Sequence, residues 1–243
     1  MAGLPACTSS YQLPIDSIWR KSCVICVLFP KSCASAGIWG TNRHTILMTS
    51  LLYKSFREPV WMDVHSPGAT TVPKRVYNWL KDPASLTRRV TDACNGQFSV
   101  RVRCQGWGKA MNSESRLLNL RLRATCLIRE VELLCDDEPQ VFARTLMPVR
   151  SLHGAARRLS YLRNKPLGKV LFADPHTRRE KLQIARFLPQ HKSFHEAVAH
   201  LEDVPDDLWG RRTLFRYAGK PILVNEVFLP TLVDRVPGPH IIV

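Results

Sequence analysis

The sequence contains no apolar run of the roughly 18–20 residues that a membrane-spanning helix needs. It also lacks a P-loop, a glycine-rich dinucleotide fingerprint and a Gly-x-Ser-x-Gly motif, so neither nucleotide binding nor serine-hydrolase chemistry is indicated. The chain has 243 residues, of which 45% are hydrophobic, enough for a substantial core in one or two domains. These features predict a soluble protein that binds no nucleotide.

Acidic residues are scarce: 20 Asp and Glu stand against 35 Lys and Arg, which gives a net charge of +15. Such a chain could bind nucleic acid or attract small anions. The basic residues are scattered, however, aromatic residues are not interleaved with them, and no helix-turn-helix, zinc-finger or RNA-recognition motif is present. We therefore expect no nucleic-acid partner, and the charge favours a small anionic ligand.

The eight cysteines show no spacing typical of a zinc site. Cys23 and Cys26 form a C-x-x-C pair, but no second pair and no His pair stands at ligand spacing. Four others lie singly in helix-like or strand-like segments and are predicted to be free buried thiols: Cys94, Cys104, Cys126 and Cys135. The sequence thus predicts neither a metal nor a cofactor.

Residues 1–47 contain one acid, Asp16, and no sustained helical or strand period. The stretch RKSCVICVLFPKSCASAG resembles an export signal, although its short apolar part ends at Pro30-Lys31. Three interpretations are open: a poor export signal, a disordered extension, or a start set too early, with Met48 as the initiator. The last two are favoured, and they predict a cytoplasmic protein.

Residue patterns predict an α+β fold, a single domain with one antiparallel β-sheet flanked by helices. The expected organisation is an N-terminal extension (1–47), a segment that packs on the domain (48–72), the domain itself (73–232) and a C-terminal tail (233–243). The elements predicted along the domain are a helix from Pro73, a second helix starting at Asp82-Pro83, a strand at 97–105, a polar loop at 106–115, a hairpin at 120–148, helix at 151–163, a turn at 164–168, mostly helix over 169–202, and two final strands joined near Gly219-Lys220.

Three predicted strands each carry one charged residue at an inward-facing position. Glu226 interrupts the apolar face of PILVNEVFLP (221–230), and Arg129 and Arg144 interrupt the two hairpin strands in the same way. A buried charge is costly without a partner, and two guanidiniums against one carboxylate leave a positive charge that an anionic ligand could balance. A structural Arg–Glu pair, or a strand with a second face in water, explains the pattern equally well.

Four ordered sequence blocks resemble the chorismate lyase family: IREVELLCDDEPQVFARTLMPV, NKPLGKVLF, LWGRRTLF and GKPILVNEVFLP. The resemblance covers about Tyr77 to Pro230. It implies a carbon–oxygen lyase that removes pyruvate from chorismate to give 4-hydroxybenzoate, the first committed step of bacterial ubiquinone synthesis. It also implies that the enzyme needs no cofactor or metal, and we expect it to act as a monomer.

The resemblance assigns roles to five residues. Arg129 would clamp the ring carboxylate, and Glu226 would bond the ring hydroxyl, either as a proton acceptor or as an orienting partner; these two are the predicted catalytic residues. Leu86, where other members often carry Met, and Leu167 would contribute backbone groups and close the pocket. Arg144 would support the site and could meet the carboxylate that leaves as pyruvate.

One alternative belongs to a different functional class. Ligand-sensing domains of some bacterial transcription regulators are similar in fold and bind small acids without chemistry, so fold alone does not separate the two. The match of Arg129 and Glu226 to the enzyme blocks favours the lyase.

Overall fold

The computed structural model of the chain describes residues 57–235. The predicted extension over 1–47, with its export-like stretch, its C-x-x-C pair and the question of the start, lies outside the described residues. So do residues 48–56 of the predicted packing segment and residues 236–243 of the predicted tail. No helix among residues 57–235 is long and apolar enough to cross a membrane.

Seven strands of the described chain form one antiparallel sheet in the order β1-β5-β6-β7-β4-β3-β2. The strands are β1 (Met62–Asp63), β2 (Phe98–Lys109), β3 (Thr125–Cys135), β4 (Glu138–Pro148), β5 (Arg178–Phe187), β6 (Leu208–Tyr217) and β7 (Lys220–Phe228). The α-helices are α1 (Lys74–Lys81), α2 (Leu86–Ala93), α3 (Asn112–Leu117), α4 (Leu167–Ala173), α5 (Lys192–Val198) and α6 (Pro230–Val233), and 3₁₀ turns lie at Pro67–Thr71, Val149–Ser151 and Gly154–Tyr161. The predicted α+β fold with one antiparallel sheet is confirmed.

Two tight hairpins fix the register of the sheet. Asp136 and Asp137 join β3 to β4 with φ angles of 50° and 64°, and Ala218 and Gly219 join β6 to β7 with φ angles of 47° and 72°. Positive φ at both central residues matches the right-handed twist of paired strands. The hairpin at 120–148 and the terminal pair of strands are therefore where the sequence predicts them.

Helices cover both faces of the central strands. On one face, Trp79 of α1 packs in a cluster with Val131 and Phe228, and α2 and α4 lie over the same face. On the other face, Phe194 of α5 packs against Phe142, with α3 beside it. Because almost every residue of β3 and β4 is buried, both of their faces belong to the core.

The prediction of mostly helix over 169–202 is wrong. Between α4 and α5 the chain forms β5, which pairs with β6 along its length and with β1 at the edge of the sheet. Arg, Glu, Lys, Leu and Gln dominate this strand, and all of them are strong helix formers. The hydrogen bonds to β6 outweigh that local preference.

The second helix starts later than predicted. Asp82 does not cap it: the carboxylate accepts hydrogen bonds from the N–H of Ala84 at 2.8 Å and from Nε of Arg89 at 2.7 Å. Helix α2 begins at Leu86, so residues 82–85 form a short connection, in which the carbonyl oxygens of Asp82 and Ala84 accept hydrogen bonds from arginines of the sheet.

Smaller boundaries also differ from the prediction. The polar loop expected at 106–115 is instead the end of β2, paired with β3, followed by α3. The helix expected at 151–163 is a run of 3₁₀ turns, and α4 begins at Leu167, inside the expected turn.

The prediction of free buried thiols is wrong for Cys94, Cys104 and Cys135 and is confirmed for Cys126. Cys94, after α2, and Cys135, at the end of β3, form a disulfide with their Cα atoms 5.7 Å apart. Cys104 is also disulfide-bonded. Among the described cysteines Cys126 is free, and burial raises the pKa of its thiol to about 11. Local context could not predict the pairing, because Cys94 and Cys135 are 41 residues apart and meet only when β2 pairs with β3.

Candidate active site

A narrow cavity lies between one face of the sheet and the helices α2 and α4. Strands β3, β4, β6 and β7 provide an apolar floor, and the beginnings of α2 and α4 provide the wall. Three charged residues line the cavity: Arg129, Arg179 and Glu226. The structure thus brings together two residues that the strand pattern predicts, Arg129 and Glu226, and adds one that it does not.

Arg129 is 1% exposed and has no carboxylate partner among the described residues. Its Nη2 donates to the carbonyl oxygens of Arg163 at 2.8 Å and Lys165 at 3.1 Å, in the turn before α4. Its Nε is buried without a hydrogen-bond partner, and burial lowers the pKa of the guanidinium to about 10. A buried cation held only by neutral carbonyls is well placed to receive an anion.

Glu226 has a partner that the sequence reading missed. Arg211 lies directly opposite it in the β6–β7 ladder and donates Nε to its Oε2 at 2.6 Å. Arg211 is 1% exposed, whereas the Glu226 side chain is 15% exposed on the cavity side. The carboxylate is therefore balanced by the sheet itself, and its Oε1 accepts no hydrogen bond from the described residues.

Arg211 also anchors α1 to the sheet. Its Nη1 donates to the carbonyl oxygens of Trp79 at 3.2 Å and Asp82 at 2.7 Å. The signal for this role is present in LWGRRTLF, because Arg211 alternates with Trp209 and Phe215 and so faces inward like Glu226. Without this alternation, Arg211 is one of many basic residues scattered along the sequence.

Arg179 projects from β5 into the same cavity. Its guanidinium carbon lies 5.3 Å from the ring centres of both Phe172 and Phe215. Its Nη2 donates to the carbonyl oxygen of Ala84 at 2.9 Å, and its Nε is buried without a partner. Burial lowers the pKa of Arg179 to about 10, and the nearby charge of Arg211 acts in the same direction. No face could be assigned to Arg179 from sequence, because β5 was predicted to be helix.

Leu86 and Leu167 both line the wall, each as the first residue of its helix. The two helix starts lie very close together. A Cβ atom on Gly168 would come within 2.9 Å of the hydroxyl oxygens of Ser85 and Thr87, so glycine permits this approach. The structure places both leucines where the resemblance implies, and their backbone contacts with a ligand stay a prediction.

The prediction that Arg144 joins the site is wrong. Arg144 pairs across the ladder with Glu130, so it lies on the opposite face of the sheet from Arg129 and Thr145. There it forms salt bridges with Glu130 and with Glu114 of α3. Since both faces of β4 are buried, alternation could place Arg144 inward but could not tell which side it faces.

A second, wider cavity of about 360 Å³ lies between α3 and the β6–β7 hairpin. Its charged lining is basic, with Arg150, Arg216 and Lys220, and it contains none of the predicted site residues. Among residues 57–235, no group of three or more His, Cys, Asp or Glu side chains is placed to hold a metal ion.

The first cavity therefore has complementary ends. Arg129 offers unpaired positive charge at one end, and Glu226 offers a carboxylate oxygen that can accept a hydrogen bond at the other. In the sheet order the two residues are separated by β4, about 10 Å across the strands. The arrangement suits a small, flat molecule with an acid group opposite a hydroxyl group.

The chorismate lyase family model matches residues 60–237. The chain belongs to the chorismate lyase family. The proteins named "Probable chorismate pyruvate-lyase" from Methylococcus capsulatus and from Azoarcus sp. BH72 are 40% and 41% identical to it, over 65% and 70% of this chain and 96% and 91% of theirs. A solved GntR-family transcriptional regulator from Enterococcus faecalis V583 covers 55% of this chain and 90% of its own, at 18% identity and a TM-score of 0.38.

Membership of the chorismate lyase family confirms the resemblance predicted from the four sequence blocks. All four blocks lie inside the matched residues. The blocks containing Arg129 and Glu226 form β3 and β7, and LWGRRTLF contributes Arg211 on β6. The family signature therefore surrounds one cavity.

Proposed function

We propose that the protein eliminates pyruvate from chorismate and releases 4-hydroxybenzoate. The observation that carries this proposal is that one apolar cavity contains both a buried guanidinium without an acidic partner, Arg129, and a carboxylate that can accept a hydrogen bond, Glu226. The lyase assignment of the relatives from Methylococcus and Azoarcus supports the same reaction.

The two ends of the ring would bind to different groups. Arg129 would take the ring carboxylate, because its Nε lacks a partner and a charge-assisted hydrogen bond to a carboxylate would satisfy it. Oε1 of Glu226 would accept a hydrogen bond from the ring hydroxyl, while Oε2 accepts one from Arg211. Apolar floor residues such as Val131 and Val224 would contact the ring faces.

The reaction breaks two bonds between ring carbons and their substituents. The C3–O bond to the enolpyruvyl group and the C4–H bond break, the ring becomes aromatic, and enolpyruvate takes a proton at its methylene carbon to become pyruvate. Aromatisation drives the reaction, so the protein needs mainly to hold the dianion in its reactive shape and to exclude water. Glu226 acts either as the acceptor of the C4 proton or as the group that orients the C4 hydroxyl.

The Glu226→Gln variant separates these two roles. A glutamine keeps a carbonyl oxygen for the hydroxyl but cannot accept the proton. If Glu226 is the base, turnover falls by about 100-fold or more; if it orients the substrate, most of the turnover remains. Binding of 4-hydroxybenzoate to the same variant provides the control, since it reports the hydrogen bond without the chemistry.

The proposed pathway comes from the family resemblance, and the proposed location comes from the interpretation of residues 1–47. We propose that 4-hydroxybenzoate made by this protein enters ubiquinone synthesis and that the enzyme is a cytoplasmic monomer. The disulfide between Cys94 and Cys135 counts against this location, because disulfides are rare in cytosolic proteins. Light scattering of the purified chain tests the monomer, and fractionation of the source cells tests the location.

The direct test of the proposed function is an assay with chorismate and the purified chain. The reaction is run with a chelator and without nucleotide and is then stopped. Pyruvate is measured afterwards with lactate dehydrogenase and NADH, and 4-hydroxybenzoate by chromatography. Equal amounts of both products support the proposal. Binding of 4-hydroxybenzoate without turnover would favour the effector-sensing alternative, and a chain that neither binds nor reacts would overturn both.

A further inference from the structure

The cavity carries more positive charge than one carboxylate would balance. Arg211 neutralises Glu226 through the 2.6 Å contact, which leaves Arg129 and Arg179. The acceptors for both guanidiniums are backbone carbonyl oxygens, and neither forms a salt bridge with a described acid. In each of them Nε is buried without a partner. Two cations of this kind, Arg129 buried and Arg179 partly buried, predict a ligand with two acid groups.

Arg179 is held by two aromatic rings and a backbone carbonyl group. The rings of Phe172 and Phe215 meet edge to face with their centres 6.1 Å apart, and each centre lies 5.3 Å from the guanidinium carbon. The carbonyl oxygen of Ala84 accepts a hydrogen bond from Nη2. This environment fixes the plane of the guanidinium but does not satisfy its charge. Fixed planar donors are what bidentate binding of a carboxylate requires.

We infer that Arg179 binds the carboxylate of the enolpyruvyl side chain, the role that the sequence suggested for Arg144. The inference rests on the proposed function, because it names the second anchor for the same substrate. It follows that binding of the substrate depends on Arg179 and binding of the product does not. Chorismate has two carboxylates and needs both arginines, whereas 4-hydroxybenzoate has one and needs only Arg129.

The position of Arg179 agrees with the connectivity of the substrate. The enolpyruvyl ether sits on the ring carbon next to the one that bears the hydroxyl, so its carboxylate must lie near the residue that binds that hydroxyl. Glu226 is close enough to Arg179 for its charge to act on the pKa of the guanidinium, in the direction that raises it. Arg144, behind the sheet, could not reach this position.

A purely structural role is the competing explanation, because Arg179 also ties β5 to the connection between α1 and α2 through Ala84 and Asp82. The two explanations differ in what they predict for ligands with one and two acid groups. Loss of a structural tie would weaken every ligand together, whereas loss of a carboxylate anchor would weaken only the diacid.

The test compares two stable ligands by calorimetric titration: 4-hydroxybenzoate and 3-(1-carboxyethoxy)-4-hydroxybenzoate, which adds the second carboxylate at the relevant ring position. For Arg179→Gln we expect affinity for the diacid to fall by about tenfold or more, and affinity for the monoacid to stay within about threefold. Arg179→Lys should recover part of the loss, and Arg129→Ala should weaken both ligands. Arg178→Gln, an exposed neighbour on β5, is the matched control.

These outcomes separate the inference from the proposed function. Equal losses for the two ligands in both Arg179 variants, or no loss for either ligand, would overturn the inference. The result stands whether or not chorismate turns over, because both ligands are unreactive. If the wild type does turn over chorismate, Arg179→Gln should lower kcat/KM by a factor similar to its loss of diacid affinity.

Discussion

Arg211 and Glu226 form a salt bridge at 2.6 Å directly across the β6–β7 ladder. The same guanidinium donates to carbonyl oxygens at the end of α1, so one side chain connects a helix, two strands and the cavity. Glu226 is therefore held by the fold before any ligand arrives, with one oxygen bound and the other left for a substrate. Orientation of this kind reduces the reorganisation needed during the reaction.

Arg211→Met should be strongly destabilising. The change leaves the Glu226 carboxylate without its cation and removes one hydrogen-bond donor from each of three backbone carbonyl groups. We expect the free energy of unfolding in urea to fall by about 3–5 kcal/mol, as for other buried pairs that lose one partner. A loss below about 1 kcal/mol would show that the pair is not buried as described.

The double variant Arg211→Met/Glu226→Gln tests whether the two residues are coupled. Removing both charges takes away the unpaired carboxylate, so the double variant should be more stable than Arg211→Met alone. Turnover of chorismate should stay low in both, because without Arg211 the side chain at position 226 is no longer held in place. Strictly additive losses of unfolding free energy would contradict the coupling.

Arg129→Ala should abolish most binding and turnover. The substitution removes the cation at the carboxylate end of the cavity, and we expect kcat/KM for chorismate to fall by about 100-fold or more. Arg129→Lys keeps the charge without the forked donors, so its kcat/KM should lie between those of the wild type and Arg129→Ala. Arg163→Gln is a suitable control, because the backbone carbonyl rather than the exposed side chain of Arg163 contacts Arg129. Near-normal turnover by Arg129→Ala would remove this residue from the mechanism.

The alternation of β3 and β7 marks Arg129 and Glu226 as inward-facing, and the structure places both in the lining of one cavity. It failed for Arg144, because β4 is buried on both faces and an inward-facing charge can lie on either side of the sheet. Arg211 could have been found by the same alternation in β6. What the strand pattern could not supply was the register that puts it opposite Glu226.

The sequence does not predict a role for Arg179, and the reason is different. Its strand is built from residues with high helix propensity and lies near the edge of the sheet, where only pairing with β6 and β1 selects the extended form. With the element misassigned, no argument about faces could be made. The disulfide between Cys94 and Cys135 likewise depends on a long-range contact that local context does not contain.

Arg144→Met should affect stability more than binding. Behind the sheet, Arg144 is the cation between Glu114 and Glu130, and removing it leaves two buried carboxylates close together. We expect a loss of about 3–5 kcal/mol in unfolding free energy. The affinity of the folded protein for 4-hydroxybenzoate should stay within about threefold of the wild type. A loss of affinity without a loss of stability would show that Arg144 contributes to ligand binding.

The Cys94–Cys135 disulfide should stabilise the fold by constraining the unfolded chain. For a separation of 41 residues the chain-entropy model gives about 4 kcal/mol. We expect Cys94→Ser and Cys135→Ser to lower the free energy of unfolding by similar amounts under oxidising conditions. The double variant should lose little more than either single variant, because each substitution already removes the whole bond. Reduction of the wild type should cost at least as much, because it also breaks the disulfide of Cys104. Cys126→Ser provides the matched control, because its thiol forms no disulfide and reduction should therefore destabilise this variant as much as the wild type. Losses that add in the double variant would mean that the two thiols are not bonded in solution.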